Sequence, residues 1–182
     1  MKLDQQTLVQ AALSLVDEMG LDHLNMRSLA KRLNVQASAL YWHVANKEEL
    51  LGLMAGDFYR MAYQGVAPSS SWREWLIAFG RAFRTALQSH NDSARLCALA
   101  RPFDEQIQQA AERLARPLMD LGLSMHDALA YQASVLSLTL GWTVYEQSNS
   151  LHDHLAEMVG FDHGYTIGLQ SLVAGFPERI SV

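Results

Sequence analysis

The chain has 182 residues, 49% of them hydrophobic, with a net charge of −5 and a single cysteine. That composition supports a folded core; it excludes an internal disulfide, and it excludes a protein that coats nucleic acid by overall positive charge. No apolar run is long enough to span a bilayer and the opening MKLDQQTLVQAAL lacks the apolar core of a signal peptide, so a soluble cytoplasmic protein with no membrane partner is expected.

The charge is unevenly spread. His23 to Lys47 holds four basic residues, Arg27, Lys31, Arg32 and Lys47, and no acid, whereas nine arginines and fifteen acids follow Lys47. A short basic segment on an acidic body is expected where one small part meets phosphate; a solvated helix face would look the same by charge alone. In chain order, the first helix opens at Asp4, a good N-cap flanked by Leu3 and Leu8 at staple positions. Leu8, Ala12, Leu15 and Met19 repeat at helical spacing, and Gly20 closes the helix. The second starts after Asn25 and runs MRSLAKRL, with Leu29, Ala30 and Leu33 inward and Arg27, Lys31 and Arg32 outward. Asn34 suits the left-handed residue of a tight turn, with Val35 plugging the angle. The third, QASALYWHV, is short, with small residues at its start and Leu40 and Val44 turned to the core. Asn46 caps the next helix with Glu49 as its box partner.

Helix, three-residue turn and short helix form the helix-turn-helix plan, whose second member enters the major groove. Tyr41, Trp42 and His43 cannot all be buried, because successive helical residues point about 100° apart. Tyr41 and His43 are read as DNA contacts; Trp42 is either a core aromatic or a third DNA-facing ring. Hydroxyl, ring N–H, the Lys47 ammonium and unpaired backbone N–H groups at a helix start can all donate to phosphate oxygens.

The stretch from Thr7 to Met54, TLVQAALSLVDEMGLDHLNMRSLAKRLNVQASALYWHVANKEELLGLM, resembles the TetR family of bacterial repressors, and ALYWHVANKEELL is most similar to the tetracycline repressors. The resemblance implies that Met26, Arg27, Gln36, Ala37, Ser38, Ala39, Tyr41, Trp42, His43 and Lys47 face DNA, with Arg27 placed for a bidentate guanine contact. Ala37 and Ala39 stand where relatives often carry polar readers, which leaves the operator sequence open.

The acidic remainder reads as helices. After ELLGLMAGDFYRMAY, GVAPSSS (Gly65–Ser71) is a linker. WREWLIAFGRAFRTALQSH places Trp72, Trp75, Leu76, Phe79, Phe83 and Leu87 on one face, and Asn91-Asp92 breaks it. ARLCALA is a short helix ended by Arg101-Pro102; a helix from about Asp104 to Leu121 is kinked or divided at Pro117 and ends at Gly122. SMHDALAYQASVLSLTLGWTVYEQSN (Ser124–Asn149) and HGYTIGLQSLVAGF are apolar on more than one side. They are either the core of a monomer or two helices of a dimeric four-helix bundle; a single helix-turn-helix favours the dimer, with Gly164, Gly168 and Gly175 giving room for close approach.

The family resemblance extends through WREWLIAFGRAFRTAL, ARPFDEQ, LGLSMHDALAYQASVLSLTLG and GLQSLVAGF, with a shortened stretch near 150–160, and implies a helical drug-pocket domain. The family's magnesium-holding histidine matches Cys97, a nearby threonine matches Ala100, a polar asparagine matches Phe79, the histidine after the DNA domain matches Tyr63, and a glutamine matches Arg113; Phe83, Arg101 and Pro102 keep their types. A neutral thiol does not suit magnesium. The expected effector is apolar or aromatic with an acidic or carbonyl group, needs no metal, and is lined by Tyr63, Phe79, Phe83, Cys97, Arg101, Phe103, Arg113, Val135, Leu138 and Trp142. No catalytic set, cofactor or metal site is expected: His126-Asp127 lies at a helix start, and His152, His154 and His163 are read as surface loop histidines.

The expected protein is all-α, with residues 1–46 a three-helix helix-turn-helix domain and 47–182 a helical ligand-binding and dimerisation domain, of which 47–64 is the connecting helix. Its expected function is that of a homodimeric, ligand-responsive repressor released from a palindromic double-stranded DNA operator by a small effector. The competing readings are an architectural DNA-binding protein without ligand and a small-molecule enzyme or carrier.

Overall fold

A computed structural model describes residues 3–100, 107–148 and 152–177. The described residues form helices and no strand. The first helix, α1 (Gln5–Met19), begins where the Asp4 carboxylate accepts the Thr7 N–H at 2.8 Å. Leu8, Ala12, Leu15 and Val16 make its buried face, while Met19, expected to extend that face, is turned to solvent. Gly20, at φ 80°, carries the chain out of the helix into a single tight turn, Leu21–His23. Helix α2 (Met26–Leu33) is started by a reciprocal pair: Asn25 Oδ1 accepts the Ser28 N–H and the Ser28 hydroxyl accepts the Asn25 N–H. Asn34 follows in the left-handed conformation, φ 53° and ψ 46°, as its residue type predicts.

Helix α3 is shorter than expected. It covers only Ala37–Leu40, and Tyr41–His43 continue as a turn in which Leu40 O accepts both the His43 N–H at 2.9 Å and the Val44 N–H at 3.1 Å. Leu40 and Val44 must both reach the core, and Asn46 must be extended, at φ −160°, to cap the next helix; between those demands one turn of helix is all that fits. Leu40 and Val44 pack with the apolar faces of α1 and α2 as one buried cluster.

Helix α4 (Lys47–Gln64) leads into the body and packs on α1, α5 and α6. After the linker comes α5 (Trp72–Gln88), whose buried stripe is the one the spacing predicts: Trp72, Trp75, Leu76, Phe79, Phe83 and Leu87. Asp92, at φ 55°, makes the corner to α6 (Ser93–Leu99). Helix α7 (Ile107–Met119) runs unbroken through Pro117 rather than dividing there, and Gly122, at φ 96°, ends the connection to α8 (Met125–Glu146). A helix absent from the sequence reading, α9 (His152–Val159), precedes α10 (Phe161–Ala174).

Helix α8 is the centre of the body, touching α5, α6, α7 and α10. Its inward stripe is Ala128, Tyr131, Gln132, Val135, Thr139 and Thr143; that of α10 is Tyr165, Leu169 and Val173. Both helices keep apolar residues outside, including Val144, Tyr145 and Ile167. Of the glycines expected to allow close approach, Gly164 does so within the chain: a Cβ there would sit 2.7 Å from Val159 and 2.9 Å from the Trp142 ring. Gly168 has open space beside it.

Candidate nucleic-acid interface and ligand region

The turn after α3 separates the three rings. Tyr41 is 53% exposed and Trp42 is 89% exposed, so Trp42 is not a core aromatic; His43 is half-buried. A tryptophan left almost wholly in water contributes little to folding. The turn is tied back to α1 by Gln5 Nε2, which donates to His43 O at 3.2 Å. On α2, Arg27 and Lys31 lie one turn apart on the same face, both exposed, and no carboxylate among the described residues pairs with either. Arg32, by contrast, is ion-paired to Glu18. Gln36 and Ser38 are exposed, and Met26, Ala37, Ala39 and Lys47 are half-buried.

At the start of α4 fewer backbone donors face outward than expected. Asn46 Oδ1 accepts the Glu49 N–H at 2.8 Å, and the buried Glu49 carboxylate accepts the Ala45 N–H rather than that of the cap residue itself. Glu48 and Glu49 also bring negative charge to this end, which leaves the Lys47 ammonium as its cationic group.

The reading head is bonded to the corner between α5 and α6 by a polar set that the sequence did not disclose. Asp17 accepts the Asn91 N–H at 2.7 Å and meets His90 Nδ1 at 2.7 Å, while Asn91 Nδ2 donates to Asp17 O at 3.1 Å. Asp92 Oδ2 accepts the Leu21 N–H at 2.8 Å. Arg95 donates to both Asp22 oxygens, at 2.6 and 2.9 Å, and holds that carboxyl below its usual pKa.

Of the ten residues expected to line one effector cavity, the structure describes eight. Arg101 and Phe103 lie outside the described residues. Tyr63, Phe79, Phe83 and Cys97 do converge, but as a packed cluster: Phe79 stacks between Trp75 and Phe83, with centroids 5.1 and 6.2 Å away, and Tyr59 stacks on Phe83 at 5.0 Å. Tyr59, Trp75 and Gln132 were missed; Tyr59 stands one turn before Tyr63 on α4, a spacing that was available to find it. The Tyr63 hydroxyl accepts from Gln132 Nε2 at 2.9 Å. Arg113 is exposed and lines a shallow groove of about 400 Å³ on α7 with Glu112 and Arg116, yet its charge still reaches Tyr63. Leu138 is half-buried. Val135 packs near Gly80 and Leu169, and Trp142 lies against Gly164 and Tyr165 of α10, roughly 15 Å along α8 from Gln132 at 1.5 Å per residue.

Burial pushes the Cys97 thiol up to about 12, and Tyr59 and Tyr63 likewise to about 12, so all three stay neutral at pH 7. A neutral buried thiol among aromatic rings is a poor donor set for magnesium, which takes hard oxygen ligands. Among the described residues, no three of His, Cys, Asp and Glu converge on a common centre. His152 and His154 are exposed, but on α9 rather than in a loop, and His163 is on α10.

A helix-turn-helix head, two of whose cations pair with no acid among the described residues, on a larger body whose described elements are all helices is the plan of a bacterial DNA-binding regulator with a separate effector region. Residues 8–54 match the model of bacterial regulatory proteins of the tetR family, and residues 65–177 match the tetracyclin repressor-like C-terminal domain. The tetracycline repressor protein class G of Vibrio anguillarum is 33% identical over 202 aligned positions, covering 98% of this chain and 95% of the relative. A single-substitution variant of TetR from Acinetobacter baumannii AYE in complex with minocycline superposes with a TM-score of 0.78 at 36% identity, covering 96% of this chain and 97% of the other. BioQ with its double-stranded DNA operator superposes with a TM-score of 0.69 at 34% identity, covering 96% and 98%. The chain belongs to the TetR family of bacterial regulatory proteins, whose N-terminal and C-terminal parts it both matches. Among the described residues no helix is long and apolar enough to cross a membrane.

Proposed function

We propose that residues 1–46 read the operator, that residues 47–182 receive the effector and form the dimer through the outer faces of α8 and α10, and that the protein works in the cytoplasm without catalysing a reaction. The observation that carries this reading is the exposure of Tyr41 and Trp42 on the turn after α3 together with that of Arg27 and Lys31 on α2, with which no acid among the described residues pairs. Phosphate contacts would position the head, and Arg27 would read a guanine edge in the major groove. The contacting set is Met26, Arg27, Gln36, Ala37, Ser38, Ala39, Tyr41, Trp42, His43 and Lys47, with Ala37 and Ala39 too small to add polar readout. Footprinting on the chain's own upstream DNA tests it: a protected palindrome is expected, and uniform weak binding to any duplex would instead point to an architectural protein.

The effector region is the aromatic cluster of Tyr63, Phe79, Phe83 and Cys97, joined by Tyr59 and Gln132. Its walls are oily, and the Tyr63–Gln132 pair is a polar handle. The effector is an apolar or aromatic molecule with an acidic or carbonyl group. It enters by parting these rings, which shifts α4 against α5 and thereby moves the head. Such a ligand acts only by binding the DNA-released form more tightly. The neutral Cys97 supports a metal-free effector, in contrast to magnesium tetracyclines. The test is titration of aromatic acids against the operator complex with and without a chelator; release that a chelator abolishes would overturn the metal-free reading.

A further inference from the structure

The corner between α5 and α6 is held from two sides. One side carries the bonds to Asp17, Leu21 and Asp22 of the head. The other is held by the end of α8. Gln147, the residue that ends α8, lays its carboxamide across the corner: Nε2 lies 3.1 Å from Leu87 O, 2.9 Å from His90 O and 3.0 Å from Ser93 Oγ, and Oε1 accepts the Ala94 N–H at 3.4 Å. Two of these are groups that helix ends leave without intrahelical partners: the Leu87 carbonyl in the last turn of α5 and the Ala94 amide in the first turn of α6. The preceding residue, Glu146, receives Arg84 Nε at 2.9 Å and Gln88 Nε2 at 3.1 Å from the last turns of α5. Most of what α8 otherwise offers α5 is apolar and therefore non-directional. The directional links lie in its last two residues.

We propose that Gln147 is a positioning residue for operator recognition: it fixes the α5–α6 corner, and through the corner the reading head, against α8, and so sets the half-site separation that the dimer accepts. This rests on α8 lying in the dimer interface, as proposed above. Half-sites are spaced by a helical turn of DNA, so a small rotation at the corner is carried to the distant reading turn as a mismatch in separation.

The experiment measures affinity for the native operator and for operators with one base pair added to or removed from the central spacer. Gln147→Leu keeps the side-chain bulk and removes every hydrogen bond. Asp17→Ala, at an exposed position, weakens the other side of the corner by removing the carboxylate's bonds to His90 and Asn91, and leaves those of Asp92 and Arg95. The wild type is expected to favour its native spacing by about tenfold or more, and each variant to reduce that preference to about threefold or less. In the Asp17→Ala background, Gln147→Leu is expected to change the preference less than it does in the wild type, because both act through the same corner. Sedimentation of each variant, expected to show a dimer, reports the interface separately: a wild-type monomer would remove the assignment of α8, whatever the spacing data show. Affinity lost equally at all three spacings, with a lowered melting temperature, would make Gln147 merely structural and overturn the proposal, as would an unchanged preference in both variants.

Discussion

Replacing Trp42 with alanine separates folding from DNA binding more sharply than any other change in the head. The ring is 89% exposed, so its removal opens no cavity and returns almost no buried apolar area to water. The expected stability change is that of a surface substitution, within about 0.5 kcal/mol, or roughly 1–2 °C in melting temperature for a chain of this size. The binding loss is another matter. If the indole N–H donates to a phosphate oxygen, a hydrogen bond to a charged group is lost, worth about 1.5–3 kcal/mol. A dimer carries two heads, so the operator complex loses about 3–6 kcal/mol, on the order of a hundred- to ten-thousandfold in Kd. The control is Leu40→Ala, two residues away and wholly buried, which should cost about 2–5 kcal/mol of stability. Calorimetry and fluorescence anisotropy on a labelled operator read the two quantities independently. An operator affinity within twofold of wild type, or a melting temperature lowered as far as by Leu40→Ala, would refute the exposed, DNA-facing placement of the ring.

Arg27→Ala and Tyr41→Ala should weaken operator binding, Arg27 by about 1–3 kcal/mol per half-site and with relaxed preference at one base position, while circular dichroism and sedimentation stay unchanged. Ile167→Glu places a charge on the outer face of α10, where the side chain is 50% exposed in the single chain; the monomer should fold, but sedimentation should show the dimer lost, because an unpaired charge would be buried in the interface. Cys97, Tyr59 and Tyr63 have folded pKa values raised by burial to about 12, from 9.0 for the thiol and 10.0 for the phenols. Their unfolded forms therefore deprotonate first, so the stability they contribute is whole below pH 9 and falls as pH rises toward 12, by about 1.4 kcal/mol per pH unit for each group in its window. Urea denaturation at pH 8, 9.5 and 10.5 checks the slope, and a thiol reagent that modifies Cys97 rapidly in the native dimer at pH 8 would contradict its burial.

What the sequence determined by itself is what short-range chemistry determines. Asn25 and Asn46 marked two caps, because an asparagine side chain bonds to backbone within three residues, and Asn34 marked a turn, because asparagine tolerates the left-handed conformation. The stripe from Trp72 to Leu87 marked the buried face of α5, because helical periodicity is written in the residues themselves. The basic run with Tyr41, Trp42 and His43 marked the head, and the family resemblance carried the choice of DNA-facing positions.

Tertiary structure alone decided the rest. Which of three adjacent rings faces water depends on where Leu40 and Val44 find their partners, and only the fold fixes α3 at one turn and leaves Trp42 outside. How the residues expected to line the effector region are distributed was decided by the same kind of packing. Position along α8 puts Trp142 with α10, and the rings of Tyr59 and Trp75 fill the space beside Phe79 and Phe83. The bonds of Asp17 to Asn91, Asp22 to Arg95 and Gln147 to Ser93 join residues more than fifty positions apart. Such pairs have no period and no motif. They exist because two helix ends meet, and that meeting is set by the burial of apolar faces elsewhere in the chain.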